Sequence, residues 1–177
     1  MRRPYLIWNR VTPALAVGGG LLIAACGGSG GSGGSGGANA AFTVSTASVS
    51  GLGTVLVNGS GQTFYILSSE QGGKLTCTDA NGCTKVWPDT ELPSGTTSGV
   101  AGSGVQSSLL STVKSADGHL YVTYGGWPLY TYTGDSGPMQ SHGQGINSFG
   151  GTWTAIDSSG NPVTAGGNTT PSSVPGY

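Results

Sequence analysis

The chain has 177 residues, of which 35 are glycine and only 7% carry a charged side chain. A typical soluble domain has about 7% glycine and about 25% charged residues, so this composition excludes a coiled coil and a nucleic-acid binder that depends on phosphate contacts. Glycine, serine and threonine form helices poorly, which argues against a helix-rich fold.

The N-terminal segment, positions 1–25, has the layout of an export signal. Arg2, Arg3 and Arg10 form a basic region, and positions 11–25 are uncharged and largely apolar. This apolar run is shorter than the stretch of about 20 residues that a membrane-spanning helix needs. The sequence therefore predicts a signal peptide over positions 1–25.

The signal ends in a motif that predicts a lipid anchor. Ile23-Ala24-Ala25-Cys26 resembles the lipobox of bacterial lipoproteins, which implies that Cys26 becomes the lipidated first residue. An ordinary signal peptide that happens to hold a cysteine and a buried N-terminal helix are the alternatives. The predicted location is the bacterial cell envelope, with the body in the periplasm or at the cell surface.

Loss of the signal leaves a mildly acidic chain. Three lysines then face seven acidic residues, a net charge of −4. Such a chain is not drawn to anionic lipids by charge, so the lipid would attach it to the membrane.

Two segments flank the body of the chain. Positions 27–37 contain only glycine and serine, so we expect positions 26–41 to be the lipidated cysteine and a flexible tether. Positions 164–177 are rich in glycine, proline, serine and threonine and predict a disordered tail.

Between positions 42 and 163, short β-rich runs alternate with turn residues. Asn58-Gly59 and Asp117-Gly118 each separate two such runs, which is typical of β-hairpins. No long stretch has a helical period, and the prediction is a small antiparallel all-β domain. The predicted strands are 54–57, 63–67, 109–113, 120–124, 129–133 and 153–156.

The domain contains an internal repeat. Tyr65 followed by Glu70 in the first copy parallels Tyr130 followed by Asp135 in the second, and Trp87 parallels Trp153 with a slippage of one position. The copies span about positions 51–93 and 108–157. We expect two degenerate, hairpin-based copies of which neither buries enough surface alone.

The second copy carries a family motif. Tyr130, Tyr132 and Asp135 fit the pattern Y-x-[FWY]-x-x-D, and the chain resembles the bacterial secreted-repeat lipoproteins named for it. In the first copy Leu67 replaces the second aromatic residue and Glu70 replaces the aspartate. The family has no settled biochemical function, so the resemblance implies a class of protein and an envelope location but no activity.

The motif has two interpretations. Its tyrosines point to one face of a strand and could fill a core, while Asp135 accepts backbone N–H groups from Gly137 or its neighbours. Alternatively, exposed rings could stack on a sugar or another flat ligand. The aromatic residues of such a platform are Tyr121, Tyr124, Trp127, Tyr130 and Tyr132.

Cys77 and Cys83 remain after lipidation, and turn residues separate them. In an oxidising compartment they predict a structural disulfide. A metal pair or a reactive dithiol is the alternative, although no second cysteine pair is present to complete a zinc or iron–sulfur site.

No cofactor is predicted, with copper as a minor alternative. Met139 and His142 offer a thioether and an imidazole three positions apart, and Asp135 would have to complete the site.

The sequence favours a non-catalytic binding or structural module over an enzyme. Its partner would be an envelope protein or a small ligand, and nucleic acid is excluded. A carboxylate hydrolase is a less favoured hypothesis, and it requires Glu70 and Asp135 about 5–10 Å apart in one cleft.

Overall fold

A computed structural model describes residues 40–164 of the chain. Within this range the chain forms nine short β-strands and four single turns of 3-10 helix. The predicted all-β class is confirmed. The strands are β1 Thr43–Val49, β2 Gly53–Asn58, β3 Tyr65–Leu67, β4 Val100–Ala101, β5 Leu110–Lys114, β6 Leu120–Tyr124, β7 Trp127–Pro128, β8 Asn147–Ser148 and β9 Gly151–Ala155.

The strands form three small sheets, with the orders β2-β1-β4, β3-β9-β8 and β5-β6-β7. All pairings are antiparallel except the short parallel contact of β4 with β1. The first sheet contains an unpredicted hairpin of β1 and β2. Its turn uses Gly51 and Gly53, whose φ angles of 79° favour glycine.

The hairpin at Asp117-Gly118 is confirmed. β5 pairs with β6 from Leu110 opposite Tyr124 to Lys114 opposite Leu120. Gly118 has a φ of 100° in the turn, a conformation that side chains rarely adopt.

The hairpin at Asn58-Gly59 is only partly formed. Its arms pair at the turn, where Val57 bridges Thr63, and β3 then leaves to pair with β9 from Tyr65 opposite Ala155 to Leu67 opposite Trp153. The predicted strand 129–133 is likewise irregular, since β7 ends at Pro128. Pairing between distant segments outweighs the local hairpin here, because it buries both faces of β3.

Both faces of β3 are buried. Tyr65 and Leu67 pack into one hydrophobic cluster, while Phe64 and Ile66 pack into a second cluster on the opposite side. The strand therefore lies between two cores, and its alternating side chains fill both of them.

Some of the sequence predictions concern positions outside the described residues. The signal peptide, Cys26, most of the tether and nearly all of the tail lie before residue 40 or after residue 164. Between residues 40 and 164, no helix has the length and apolar character needed to cross a membrane.

Candidate functional site

Tyr65 and Tyr130, the matching tyrosines of the two copies, pair with each other at the centre of the domain. The backbone N–H of Tyr65 donates to the Tyr130 carbonyl at 2.8 Å, and the N–H of Tyr130 donates to the Tyr65 carbonyl at 3.0 Å. Both residues are buried. This reciprocal pair joins the two copies at matching positions.

The tyrosine of the first copy binds the acid of the second. The Tyr65 hydroxyl donates to Asp135 Oδ2 at 2.7 Å, and the backbone N–H of Gly143 donates to the same hydroxyl at 3.3 Å. Burial and then the Asp135 carboxylate raise the pKa of Tyr65. The hydroxyl therefore stays protonated and acts as a donor to the carboxylate.

Asp135 also holds the loop that follows it. Its Oδ1 accepts the backbone N–H of His142 at 2.8 Å and lies 3.1 Å from Nδ1 of the same residue. The expectation that Gly137 or a close neighbour donates to Asp135 is wrong, because the Gly137 N–H donates to Gln140 Oε1 at 3.1 Å instead. Gln140 thus accepts the N–H group at the start of the loop, and the Asp135 carboxylate accepts the N–H group at its end.

The acid of the first copy plays the same part. Glu70 is completely buried, and its Oε1 accepts the backbone N–H of Cys77 at 2.7 Å and the Thr76 hydroxyl at 3.0 Å. Cys77 follows Glu70 by seven positions, just as His142 follows Asp135 by seven.

The crossed contact between Glu70 and Tyr130 is looser than the one between Asp135 and Tyr65. Burial and then the Glu70 carboxylate raise the pKa of Tyr130, so the two groups are close. Neither the Tyr130 hydroxyl nor Glu70 Oε2 makes a hydrogen bond of ordinary geometry with any residue in the described range. The two copies therefore differ at this contact.

Tryptophans complete the centre. Trp87 and Trp153 stack with ring centroids 3.9 Å apart and planes 4° apart. Tyr65 lies edge-on to Trp87 at 5.5 Å, and Tyr130 lies edge-on to Trp153 at 5.2 Å. Each copy thus contributes one tyrosine–tryptophan pair.

Most of the predicted aromatic platform is in the interior. Tyr124, Trp127 and Tyr130 are buried, and Tyr121 and Tyr132 are partly exposed. The Tyr124 hydroxyl donates to the Ser158 carbonyl at 2.7 Å. These five rings therefore do not form one exposed stacking surface.

The predicted disulfide between Cys77 and Cys83 is confirmed. It closes a loop that contains the 3-10 turn Asp79–Asn81, and both cysteines are buried. The bond replaces the metal-pair and dithiol alternatives for these two residues.

The copper hypothesis rests on three residues with different surroundings. Met139 is 53% exposed, whereas Asp135 is 4% exposed and already accepts hydrogen bonds from Tyr65 and His142. Within residues 40–164, no three histidine, cysteine or acidic side chains are grouped so that they could hold a metal ion. Nothing in this geometry favours copper.

The hydrolase hypothesis needs carboxylates that face a substrate. Glu70 and Asp135 are 0% and 4% exposed, and backbone N–H groups hold both of them. Neither residue lines the large cleft described next. Their geometry suits a structural role and not acid–base work at a surface.

A cleft of about 820 Å³ opens beside the disulfide loop, and no motif in the sequence predicted it. Four of the seven acidic residues of the chain line it, together with two of its lysines. These charged residues are Asp79, Asp89, Glu91, Asp117, Lys85 and Lys114.

The acids of the cleft influence one another. Burial, and then the charges of Glu91 and Asp79, raise the pKa of Asp89 to about 6. His119 forms an ion pair with Glu91, and its Nε2 lies 3.9 Å from Asp117 Oδ2. The hydrogen bond to Glu91 raises the pKa of His119.

The sequence held little signal for this cleft. Its four acids are spread from position 79 to position 117 and fit no motif. The available hint was compositional, because most of the acids of the chain fall between positions 70 and 117.

Comparison with known proteins gives a match over the second copy. Residues 111–157 match a family model whose description is "Secreted repeat of unknown function". No curated protein and no solved structure matches the chain. The matched segment begins in β5 and ends just after β9, and it contains Tyr130, Asp135 and Trp153. Residues 111–157 are therefore similar to the family of secreted repeats of unknown function, and this match supports the resemblance that the motif suggested.

Proposed function

We propose that this protein is a lipid-anchored bacterial envelope protein whose two-copy β domain is a non-catalytic module. The match to a family of secreted repeats supports export. The lipobox-like segment that ends at Cys26 supports the anchor.

One observation carries the non-catalytic part of the proposal. The motif residues of the two copies contact each other: Tyr65 pairs with Tyr130 through the backbone and donates to Asp135 through its hydroxyl. Buried groups that already have partners are not available to a substrate. Tyr65 and Asp135 therefore build the domain and are not available to a partner.

Replacement of Cys26 tests the anchor. The full chain and a Cys26→Ser variant are expressed in a bacterium, and radiolabelled palmitate and membrane fractionation are followed. We expect the original chain to take up label and to leave the membrane only in detergent, and the variant to be unlabelled. Ser29→Ala, in the predicted tether, is the matched control and should behave like the original chain.

Two results would contradict the proposal. One is an unlabelled original chain in the soluble fraction. The other is a Cys26→Ser variant that keeps its label.

A further inference from the structure

We propose that the acidic cleft binds a small organic cation with two or more amino groups, such as a linear diamine or polyamine, with Tyr130 at its inner end. Such binding goes beyond the proposed function. It concerns the folded domain and holds whether or not Cys26 carries a lipid.

The charges of this chain are concentrated in the cleft. Only 7% of the residues are charged, yet four of the seven acids line this one cleft, against two lysines. The lining itself has two more acidic than basic side chains, and His119, which forms an ion pair with Glu91, offsets one of these negative charges when it is protonated. Such a concentration of like charge attracts a cation and favours a ligand that meets more than one carboxylate.

The size of the cleft and the spacing of its acids suit an organic ligand. Its volume of about 820 Å³ lies within the range of about 300–1,000 Å³ that small organic ligands occupy. Leu75, Pro88 and Tyr121 add apolar surface to its lining. The acids are not grouped as metal ligands among the described residues. Separate carboxylates on a partly apolar wall suit ammonium groups joined by methylene chains better than one metal ion.

The Tyr130 hydroxyl is an independent indication of a ligand. Tyr130 is 1% exposed and lines the cleft, and its hydroxyl makes no ordinary hydrogen bond to a described residue. After burial, the Glu70 carboxylate contributes most to the raised pKa of Tyr130, so the hydroxyl lies beside Glu70, and Asp89 and Tyr121 of the cleft contribute less. A carboxylate accepts hydrogen bonds and donates none, so the Tyr130 hydroxyl oxygen still lacks a donor beside Glu70, and an amino group in the cleft would supply it.

The matching hydroxyl of Tyr65 has both a donor and an acceptor. It donates to Asp135 and accepts the backbone N–H of Gly143, and both of these residues belong to the second copy. Thr78 is the counterpart of Gly143 in the first copy, and it lines the cleft and makes no bond to Tyr130. Gly143 therefore donates a backbone N–H to the Tyr65 hydroxyl, whereas its counterpart Thr78 donates no N–H to the Tyr130 hydroxyl.

Spermidine is the probe for the test, with butylamine as a monoamine and calcium chloride as a metal ion. Each is titrated at low salt into the full chain in a nonionic detergent, and binding is followed by calorimetry and by backbone amide NMR shifts. The variants are Asp89→Asn, Asp117→Asn and Tyr130→Phe. Asp157→Asn makes the same change of charge outside the cleft and is the matched control.

We expect one spermidine per chain, with shifts confined to the cleft, and weaker binding of butylamine and calcium. Loss of a charged hydrogen bond should weaken binding about tenfold in each Asp→Asn cleft variant. Loss of the hydrogen bond from an ammonium group to the uncharged Tyr130 hydroxyl should weaken binding about fivefold in Tyr130→Phe. Asp157→Asn should bind like the original chain.

Three results would overturn the inference. Shifts scattered over the surface, or an equal loss in Asp157→Asn, would mean general attraction of a cation to an acidic protein. Tighter binding of calcium than of spermidine would mean a metal site. Unchanged binding in both Asp→Asn cleft variants would place the ligand elsewhere.

Discussion

Trp87 and Trp153 stack face to face at the centre of the domain, 3.9 Å apart and within 4° of parallel. They come from different copies of the repeat, so this one contact joins the two copies. The stacked rings also leave little space for the neighbouring residue Gly143. A Cβ atom on Gly143 would come within 2.9 Å of both Trp87 and Tyr65.

Gly143→Ala should therefore destabilise the domain by about 2 kcal/mol, because overpacking of a rigid core costs about 1–3 kcal/mol. Urea unfolding followed by tryptophan fluorescence measures this loss. Gly137→Ala is the matched control, since its Cβ would meet only Gln140 at 3.7 Å, and it should be neutral or slightly stabilising. Equal midpoints for the two variants would contradict the packing described here.

The hydrogen bond between Tyr65 and Asp135 predicts a coupling free energy. Asp135→Ala should cost about 3 kcal/mol and Tyr65→Phe about 1.5 kcal/mol, and the double variant should cost about 1.5 kcal/mol less than their sum. A double-mutant cycle by urea unfolding gives the value. The matched cycle with Glu70→Ala and Tyr130→Phe should show a clearly smaller coupling, because that contact lacks hydrogen-bond geometry. Equal couplings would refute the difference between the copies.

The disulfide predicts a dependence on reducing agent. Cleavage of the Cys77–Cys83 bond should lower the free energy of unfolding by about 2.4 kcal/mol in the chain-entropy model. Urea midpoints with and without dithiothreitol measure the loss. A Cys77→Ala, Cys83→Ala double variant should match the reduced protein and should not respond to dithiothreitol. A response in this variant would mean that the reagent acts at another site.

Asp89 predicts a pH dependence of stability. Its pKa is raised from 3.8 to about 6, first by burial and then by Glu91 and Asp79, with His119 acting in the opposite direction. The folded state therefore binds the Asp89 proton more tightly than the unfolded state does. The stabilisation from protonated Asp89 is present below pH 3.8 and is lost as the pH rises to about 6.

Asp89→Asn isolates this effect. The variant should be more stable than the original chain at neutral pH and should lack the loss between pH 3.8 and about 6. Urea midpoints across this range, with Asp157→Asn as the control, test it. A variant that keeps the original slope would show that another group titrates there.

The sequence predicted the parts of this fold that depend on local signals. Asp117-Gly118 predicted a hairpin because the turn itself specifies one, and Cys77 and Cys83 predicted a disulfide from their number and compartment. The prediction of a hairpin at Asn58-Gly59 was wrong beyond the turn. There β3 pairs with β9 and not with β2, because burial against β9 stabilises it more.

Contacts between the copies could not be read from the sequence. The repeat aligned Tyr65 with Tyr130, but it did not indicate that Tyr65 would reach the acid of the other copy. The contact between Tyr65 and Asp135 depends on how the two copies pack against each other. The cleft depends on the same packing, which brings Asp79 and Asp117 together from separate loops.

The crossed tyrosine–acid contacts have a consequence for how such repeats can be inherited. A solitary first copy would lose the Asp135 carboxylate that accepts from Tyr65, and a solitary second copy would lose the Tyr65 hydroxyl, so we expect a pair of copies to be inherited as a unit. Gain or loss of repeats in a gene should then proceed two at a time. A chain left with an odd copy would have to recruit its missing half from another molecule.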